Sequence, residues 1–197
     1  MKNRRNLWII VIVVIIAMIG FSAYSNYNGM VTKNEKVDEQ WSNVENVYQR
    51  RADLIPNLVN TVKGYADFES KTLTAVIEAR AKATSIQIDP KNMTAEDMKR
   101  FQDAQAGLSG SLSRLMVTVE QYPNLKANQN FLDLQAQLEG TENRITTERR
   151  KFNEVARDYN TFIRMFPKNI WSGLFNFAKK PYFEAAEGTE KAPEVKF

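Results

Sequence analysis

Three carboxylates are the side chains of this sequence best placed to bind a metal ion or to transfer protons. Glu139 and Glu142 are three residues apart, so on a helix they share one face. Helical bundles that hold two iron ions use the related spacing Glu-x-x-His, and Glu69 could add a third carboxylate. The chain contains no His, so the imidazole ligand of such a site is missing. A carboxylate-based metal-binding or enzymatic bundle is therefore an alternative function and not the favoured one.

The residue types that the chain lacks exclude most other catalytic chemistry. Its 197 residues include no His and no Cys, which excludes Ser-His-Asp and Cys-His catalysis, disulfide bonds, and zinc or haem sites that need imidazole or sulfur. The sequence also shows no Gly-rich phosphate-binding loop. Hydrophobic residues make up 43% of the chain and charged residues 25%, as in globular proteins. We therefore predict a folded protein that is not an enzyme, with no catalytic residues, no metal and no cofactor.

The charge distribution argues against nucleic acid as a partner. The formal net charge is +4, but three of the 27 basic residues precede residue 29. The other 24 are balanced by 23 acidic residues, so the remainder of the chain is close to neutral. A nucleic-acid-binding domain needs a strong basic surface. The sequence therefore predicts no nucleic-acid partner.

Polar side chains are concentrated between residues 134 and 160. They could line a binding groove, but we favour interhelical hydrogen bonds and ion pairs that set the helix register. Within this network, Arg80 is expected to pair with Glu142 or Glu69. The predicted buried structural network consists of Asn57, Glu69, Arg80, Glu142, Asn143, Arg149 and Asn153.

Eight aromatic residues, interleaved with lysines, lie between residues 159 and 183. The favoured interpretation is a segment that folds over the open end of a helical domain. The alternative is an interfacial segment that presses into the lipid headgroups, with its lysines toward anionic lipid, and the two interpretations can hold for different residues. The candidate membrane-interface residues are Trp171, Leu174, Phe175, Phe177, Lys179 and Lys180.

The N-terminal part of the chain is typical of a membrane-spanning helix. Uncharged, mostly apolar residues extend from Leu7 to about Tyr24, which meets the minimum of about 17 residues for a helix that crosses a bilayer. Basic residues precede this stretch and none follows it before Lys33. Because positive charge stays on the cytoplasmic side, we predict a cytoplasmic N-terminus at 1–6 and a transmembrane signal anchor at 7–27. The alternative is a cleaved leader, since small residues flank Tyr24.

Beyond residue 33, apolar residues recur at alternating steps of three and four, which is the period of a helix seam. Three segments show this period clearly, at 37–62, 98–122 and 131–166. A fourth segment at about 67–87 has a weaker pattern and a high Ala content, which favours helix. Two of the polar exceptions on these seams are Arg51 and Gln105. The sequence therefore predicts an all-α domain of four helices.

Helix-breaking and capping residues agree with this division. The predicted breaks are at Gly64, Asp89-Pro90 and Pro123-Asn124. Thr94 with Asp97 three residues later predicts a capping box, and Asn128 predicts the cap of the last helix. Pro56 lies inside the first periodic segment, so we expect either a bend near Ala52 to Pro56 or the start of a new helix there.

The short connections predict an elongated antiparallel bundle with up-down-up-down topology over residues 30–183. In this topology the end of the last helix lies beside the start of the first, close to the bilayer. The turn at 122–128 then lies at the far tip, where a loop on a rigid support often carries recognition. A simpler interpretation is that Pro123 only ends one helix and Asn128 caps the next. The candidate partner loop consists of Tyr122, Pro123, Asn124 and Lys126.

Several motifs give the chain a family resemblance. They are Asn57-Leu58-Val59, Lys63-Gly64-Tyr65, Ala79-Arg80, Tyr122-Pro123-Asn124-Leu125-Lys126-Ala127, the run from Leu134 to Ile145, Asp158-Tyr159-Asn160 and Phe166-Pro167. In order and spacing they are similar to the LemA family, from residue 1 to about 183. The resemblance implies a bacterial, membrane-anchored helical domain outside the cytoplasm, and it implies no defined activity. Residues 184–197 match no part of the pattern and are predicted to be a flexible tail.

These observations predict a membrane-anchored scaffold or adaptor that binds another envelope protein and catalyses no reaction. A third possible function is a sensor. Only about six residues precede the predicted span, which is too few for a signalling domain, so the signal would have to pass through a membrane partner. The expected partners are the lipid bilayer and another membrane or envelope protein, and self-association is left open. The expected location is the bacterial cytoplasmic (inner) membrane, with one pass and the bundle in the periplasm or outside the cell.

Overall fold

A computed structural model of the chain describes residues 2–64 and 70–184. Every regular element in these two ranges is helical, which confirms the all-α prediction. The helices are α1 (Lys2–Lys63), α2 (Ser70–Ser85), α3 (Ala95–Val119), α4 (Pro123–Lys126), α5 (Gln129–Arg164) and α6 (Lys168–Leu174). The short helices α4 and α6 were not predicted, because four to seven residues are too few to show a helical period.

Helix α1 joins the predicted anchor and the first bundle segment without a break. Its 62 residues correspond to about 93 Å of α-helix. Pro56 lies inside the helix, so the alternative that a new helix begins there is wrong. The neighbouring side chains Ile55, Leu58 and Val59 are buried, and their packing holds the helical path across the missing N–H of the proline.

From about Gly29 onward, helix α1 runs antiparallel to α5. Gly29 lies against the ring of Phe162, and the amide of Gln40 donates to the carboxylate of Glu148 over 2.7 Å. Residue numbers therefore rise along α1 as they fall along α5. Helix α3 runs in the same direction as α1, and α2 packs along α3.

Two clusters of apolar side chains divide the core along the length of the domain. The first extends from Met30 to an aromatic group in which the rings of Phe101 and Phe152 lie 5.4 and 5.6 Å from Trp41. The second lies around the far end of α1, with Val62, Val119, Leu125 and Phe131 among its members. The α3–α4–α5 connection is therefore at the opposite end of the domain from Met30, as the topology predicts.

The predicted helix caps are confirmed. Thr94 Oγ1 accepts from the Asp97 N–H over 3.1 Å, and Asp97 in turn accepts from the Thr94 N–H. Hydrogen bonds from the Thr94 hydroxyl and from Arg100 lower the pKa of Asp97. At the start of α5, Asn128 Oδ1 accepts from the Phe131 N–H over 3.1 Å. Both caps depend on residues three apart in sequence, so sequence alone is enough to find them.

Candidate functional site

A buried arginine that is not among the predicted network residues is the centre of the polar contacts between helices. Arg51 is 2% exposed. Its Nη1 donates to Glu142 Oε2 and to Ser109 Oγ, both over 2.8 Å, and its Nη2 donates to Gln105 Oε1 over 2.6 Å. The guanidinium also lies 5.1 Å from the centre of the Tyr48 ring. These contacts join α1, α3 and α5 at one level of the bundle.

The sequence contains a signal for this cluster. Arg51 and Gln105 are both polar residues at seam positions, where apolar residues are expected. A buried polar side chain needs a partner, so two such exceptions on the seams of one bundle can be partners of one another. The structure brings them together across the core, where Arg51 Nη2 donates to Gln105 Oε1.

The two candidate carboxylates within the described residues, Glu139 and Glu142, have separate hydrogen-bond partners. Glu142 is paired with Arg51, whereas Glu139 is exposed and accepts from Gln135 over 2.9 Å. Glu69 lies outside the described residues. Residues 2–64 and 70–184 hold no group of three or more His, Cys, Asp or Glu side chains able to bind a metal ion.

Beside Arg51, the helices leave an open polar cleft of about 590 Å³. Its lining includes positively charged side chains, Arg51 and Arg149, and the negatively charged Glu142. Burial raises the pKa of the Tyr48 phenol at its edge, although the two arginines act in the opposite sense. The lining side chains offer both hydrogen-bond donors, such as Arg149, and acceptors, such as Glu142.

Three residues of the predicted polar network lie elsewhere than expected. Asn57 and Asn143 are on exposed helix faces, so they do not belong to a buried network. Arg80 does not pair with Glu142. Its Nε donates to the Ala52 carbonyl over 2.7 Å, four residues before Pro56. Because proline has no N–H, this carbonyl lacks its helical donor, and Arg80 supplies one from α2.

The remaining two members, Arg149 and Asn153, hold an extended segment of the chain that we call the strap, residues 178–184. The side chain of Asn153 donates to the Phe183 carbonyl over 2.9 Å and accepts from the Phe183 N–H over 2.8 Å. Asn160 makes the same pair of bonds with Lys180, over 2.8 and 2.9 Å. Arg149 donates to the carbonyl of Glu184 over 2.8 Å.

The spacing of these asparagines matches the geometry of the strap. Seven residues of α5 from Asn153 to Asn160 rise about 10.5 Å, and three extended residues from Lys180 to Phe183 span about 10 Å. Each side-chain amide can therefore act as the partner strand for one strap residue. The phenol of Tyr159 adds a bond to the Ala178 carbonyl over 3.0 Å.

Two side chains of the strap are buried in the bundle. The Phe183 ring is 5.4 Å from Phe152 and stacks 6.0 Å from Trp41. Lys180 is also buried, and its ammonium faces Asp38 at 3.5 Å and donates to the Pro90 carbonyl. Burial raises the pKa of Asp38, and the ammonium only partly counters this. The placement of Lys180 among the membrane-interface candidates is therefore wrong.

The other candidate interface residues fall into two groups. Trp171 and Phe177 are half-buried and pack against the first core cluster, which is the covering role that the sequence analysis favoured. Leu174, Phe175 and Lys179 are exposed. The structure therefore divides the aromatic segment between its two interpretations.

The predicted partner loop forms the short helix α4. Leu125 is fully buried and fixes this helix to the second core cluster. Pro123, Asn124 and Lys126 are exposed, and Lys126 makes an ion pair with Glu120. The loop thus has a fixed shape at the end of the domain far from Met30.

Helix α1 is the one helix in the described part of the chain that is long and apolar enough, by length and composition, to cross a membrane. Its apolar N-terminal side chains are exposed all round. A surface of this kind is unfavourable in water and favourable in lipid.

Comparison with known proteins identifies the family. The model of the LemA family matches residues 40–197. The chain belongs to the LemA family. Its relatives include magnetosome protein MamQ 2 of Paramagnetospirillum magneticum, with 26% identity over 194 residues, covering 89% of this chain and 71% of the relative. Protein LemA of Metamycoplasma hominis is 22% identical over 180 residues, covering 91% of this chain and 78% of the relative.

Membership in the LemA family confirms the resemblance found in the motifs. Together with α1, it describes a membrane-associated helical protein of this family. The match begins within α1 at residue 40 and extends to residue 197, so it includes the strap and also the residues beyond 183 that the motifs did not cover.

Proposed function

We propose that this LemA-family protein is a membrane-anchored adaptor that holds a rigid helical bundle outside the cytoplasm and presents its far tip to another envelope protein. It catalyses no reaction in this proposal. The observation that carries it is the continuity of α1, which is both the apolar segment and a core helix of the bundle.

A continuous helix transmits position, because it has no flexible linker at the membrane surface. From Tyr24 to Lys63, α1 corresponds to about 58 Å of helix. The antiparallel α5 lies beside it and shares its core. The bundle would therefore hold its tip at a set height above the bilayer, which is useful to a scaffold and is not needed by a soluble enzyme.

The contacts of the polar residues also support a binding role. On α5, Glu142, Arg149 and Asn153 are engaged with other parts of the chain, so these three polar side chains have structural roles. The exposed residues of α4 stand on a helix fixed by buried Leu125. A rigid exposed loop loses little conformational entropy when a partner binds it.

Site-specific crosslinking in cells tests the partner surface, and the absence of Cys makes it simple. A photoreactive probe would be attached to a single Cys in Lys126→Cys at the tip, and to Arg144→Cys on the exposed face of α5 as the matched control. We expect a discrete adduct with one envelope protein from position 126 and none from 144. Equal adducts from both positions, or none from either, would contradict a tip-specific adaptor.

Protease treatment tests the proposed location in the inner membrane with the bundle outside. Trypsin added to intact spheroplasts should cleave after basic residues beyond Lys33. Full protection in intact spheroplasts, with cleavage only after lysis, would place the bundle in the cytoplasm and refute the proposed orientation.

A further inference from the structure

The end of α5 and helix α6 lie where α1 leaves its apolar stretch. The ring of Tyr27 packs edge-on against Phe175 at 5.1 Å and against Phe177 at 5.8 Å. Tyr27 is three residues past Tyr24, a rise of about 4.5 Å along the helix. If α1 spans the bilayer, α6 is therefore held within one helical turn of the membrane surface.

Helix α6 has one face fixed to the protein and one face that no part of residues 2–64 and 70–184 covers. The buried hydroxyl of Ser172 donates to the Ile163 carbonyl over 3.0 Å, which fixes the inner face. Ile170 and Leu174 are two residues before and after Ser172, so both project to the opposite side. They are 58% and 66% exposed.

Met165 and Phe166, which precede α6 in the chain, add to this exposed apolar surface. Phe166 is 81% exposed and Met165 is 50% exposed, and we call the group Met165, Phe166, Ile170 and Leu174 the α6 patch. Large apolar side chains grouped at one end of a domain indicate an interaction surface.

Among the described residues, the charged side chains nearest to the α6 patch in sequence are basic. Between Tyr159 and Phe183 the sequence contains no Asp or Glu, and α1 contains none before Glu35. Arg164 and Lys179 are exposed, and Lys168 lies over the Phe162 ring at 3.9 Å. Apolar side chains bordered by basic ones match an anionic lipid surface.

We propose that the α6 patch is a second membrane contact, which inserts into the headgroup region of the bilayer that α1 spans, with Arg164, Lys168 and Lys179 facing lipid phosphates. The inference goes beyond the adaptor function and depends only on the membrane span of α1. The protein would then rest on the bilayer at two points, which restricts rotation and tilt of the bundle. One helix alone would leave both free.

Lipid quenching in vesicles tests this proposal on the full chain. Because the chain has no Cys, single variants Ile170→Cys and Leu174→Cys can each carry one environment-sensitive fluorophore. Ile12→Cys, in the apolar part of α1, is the positive control. Val117→Cys, an exposed apolar position on α3, is the matched negative control. The vesicles would contain phosphatidylcholine and phosphatidylglycerol with a spin-labelled lipid quencher.

We expect a blue shift and loss of fluorescence at positions 170 and 174, as at position 12, and neither at 117. Quenching at 12 without quenching at 170 and 174 would overturn the second contact and leave the anchor intact. A blue shift at 170 that depends on protein concentration and not on the quencher would assign the patch to a second copy instead. Omitting phosphatidylglycerol should weaken the quenching at 170 and 174, and an unchanged signal would refute the role of the basic residues.

Discussion

The bond from Arg80 to Ala52 gives the most specific prediction about this fold. It crosses from α2 to α1 and satisfies the carbonyl that Pro56 leaves without a donor. Arg80→Met keeps most of the side-chain volume and removes the donor. A hydrogen bond from a charged group contributes about 1.5–3 kcal/mol, and since the side chain is only half-buried we expect a loss of about 1.5 kcal/mol.

We expect this loss to depend on the proline. In a Pro56→Ala background the new N–H donates to the Ala52 carbonyl along the helix, so Arg80 has less to contribute. The same Arg80→Met change should then cost about 0.5 kcal/mol, which gives a coupling of about 1 kcal/mol between two residues that bond to one carbonyl.

Guanidinium unfolding of the four proteins of this cycle in detergent micelles would measure the coupling. The aromatic circular dichroism of the Trp41 cluster reports on the packing between α1, α3 and α5. Lys82→Met, on the exposed face of α2, is the control and should stay within about 0.5 kcal/mol of the parent. If Arg80→Met cost the same with and without Pro56, the two residues would be independent and the reasoning would be refuted.

Three further predictions follow from the polar cluster and the strap. Glu142→Ala removes the counter-charge of buried Arg51 and should lower the free energy of unfolding by about 2 kcal/mol. This is less than the ~3–5 kcal/mol of a fully buried pair, because the carboxylate is 52% exposed. The control Glu139→Ala should change stability by less than about 0.5 kcal/mol, and equal effects of the two variants in denaturant unfolding would contradict the structural role of the pair. Phe183→Ala removes a buried ring and should cost about 3 kcal/mol locally, seen as faster hydrogen exchange of the strap amides, and unchanged exchange would show that the ring does not hold the strap. Burial, reinforced by the charge of Asp38, raises the pKa of Tyr159 to about 12 in the folded protein. As the pH rises, the unfolded chain loses this proton first, so the free energy of unfolding should fall between about pH 10 and pH 12. Tyr159→Phe should reduce this alkaline loss in pH-dependent unfolding, and a profile identical to that of the parent would contradict the raised pKa.

The local features of the fold could be predicted from the sequence. The capping box of Thr94, the cap of Asn128 and the apolar seam of each long helix depend on residues a few positions apart. The same holds for the apolar N-terminal stretch, because the bilayer sets a length that can be counted. Even the meeting of the α5 end with the start of the bundle followed from short connections and antiparallel order.

For the candidate sites, the sequence identified several polar residues that make tertiary contacts, but it did not identify their partners. It found Arg149 and Asn153 as structural polar residues, but it assigned them to helix–helix contacts, whereas they bind the strap. It gave Arg80 a carboxylate partner, because unlike charges are the simplest pairing to expect. It placed Lys180 at the lipid surface, since its burial depends on Asp38, 142 residues earlier.

What only the tertiary structure decided are the pairings between distant residues. Arg51 and Gln105 are 54 residues apart, and Arg80 and Ala52 are 28 apart. The period of apolar residues in the sequence predicts which face of a helix is buried. A shift of one helix along its neighbour by one turn, about 5.4 Å, would give each polar residue a different interhelical partner while the same apolar faces stayed buried. Packing of whole side chains selects one register, and that selection is a property of all the helices together.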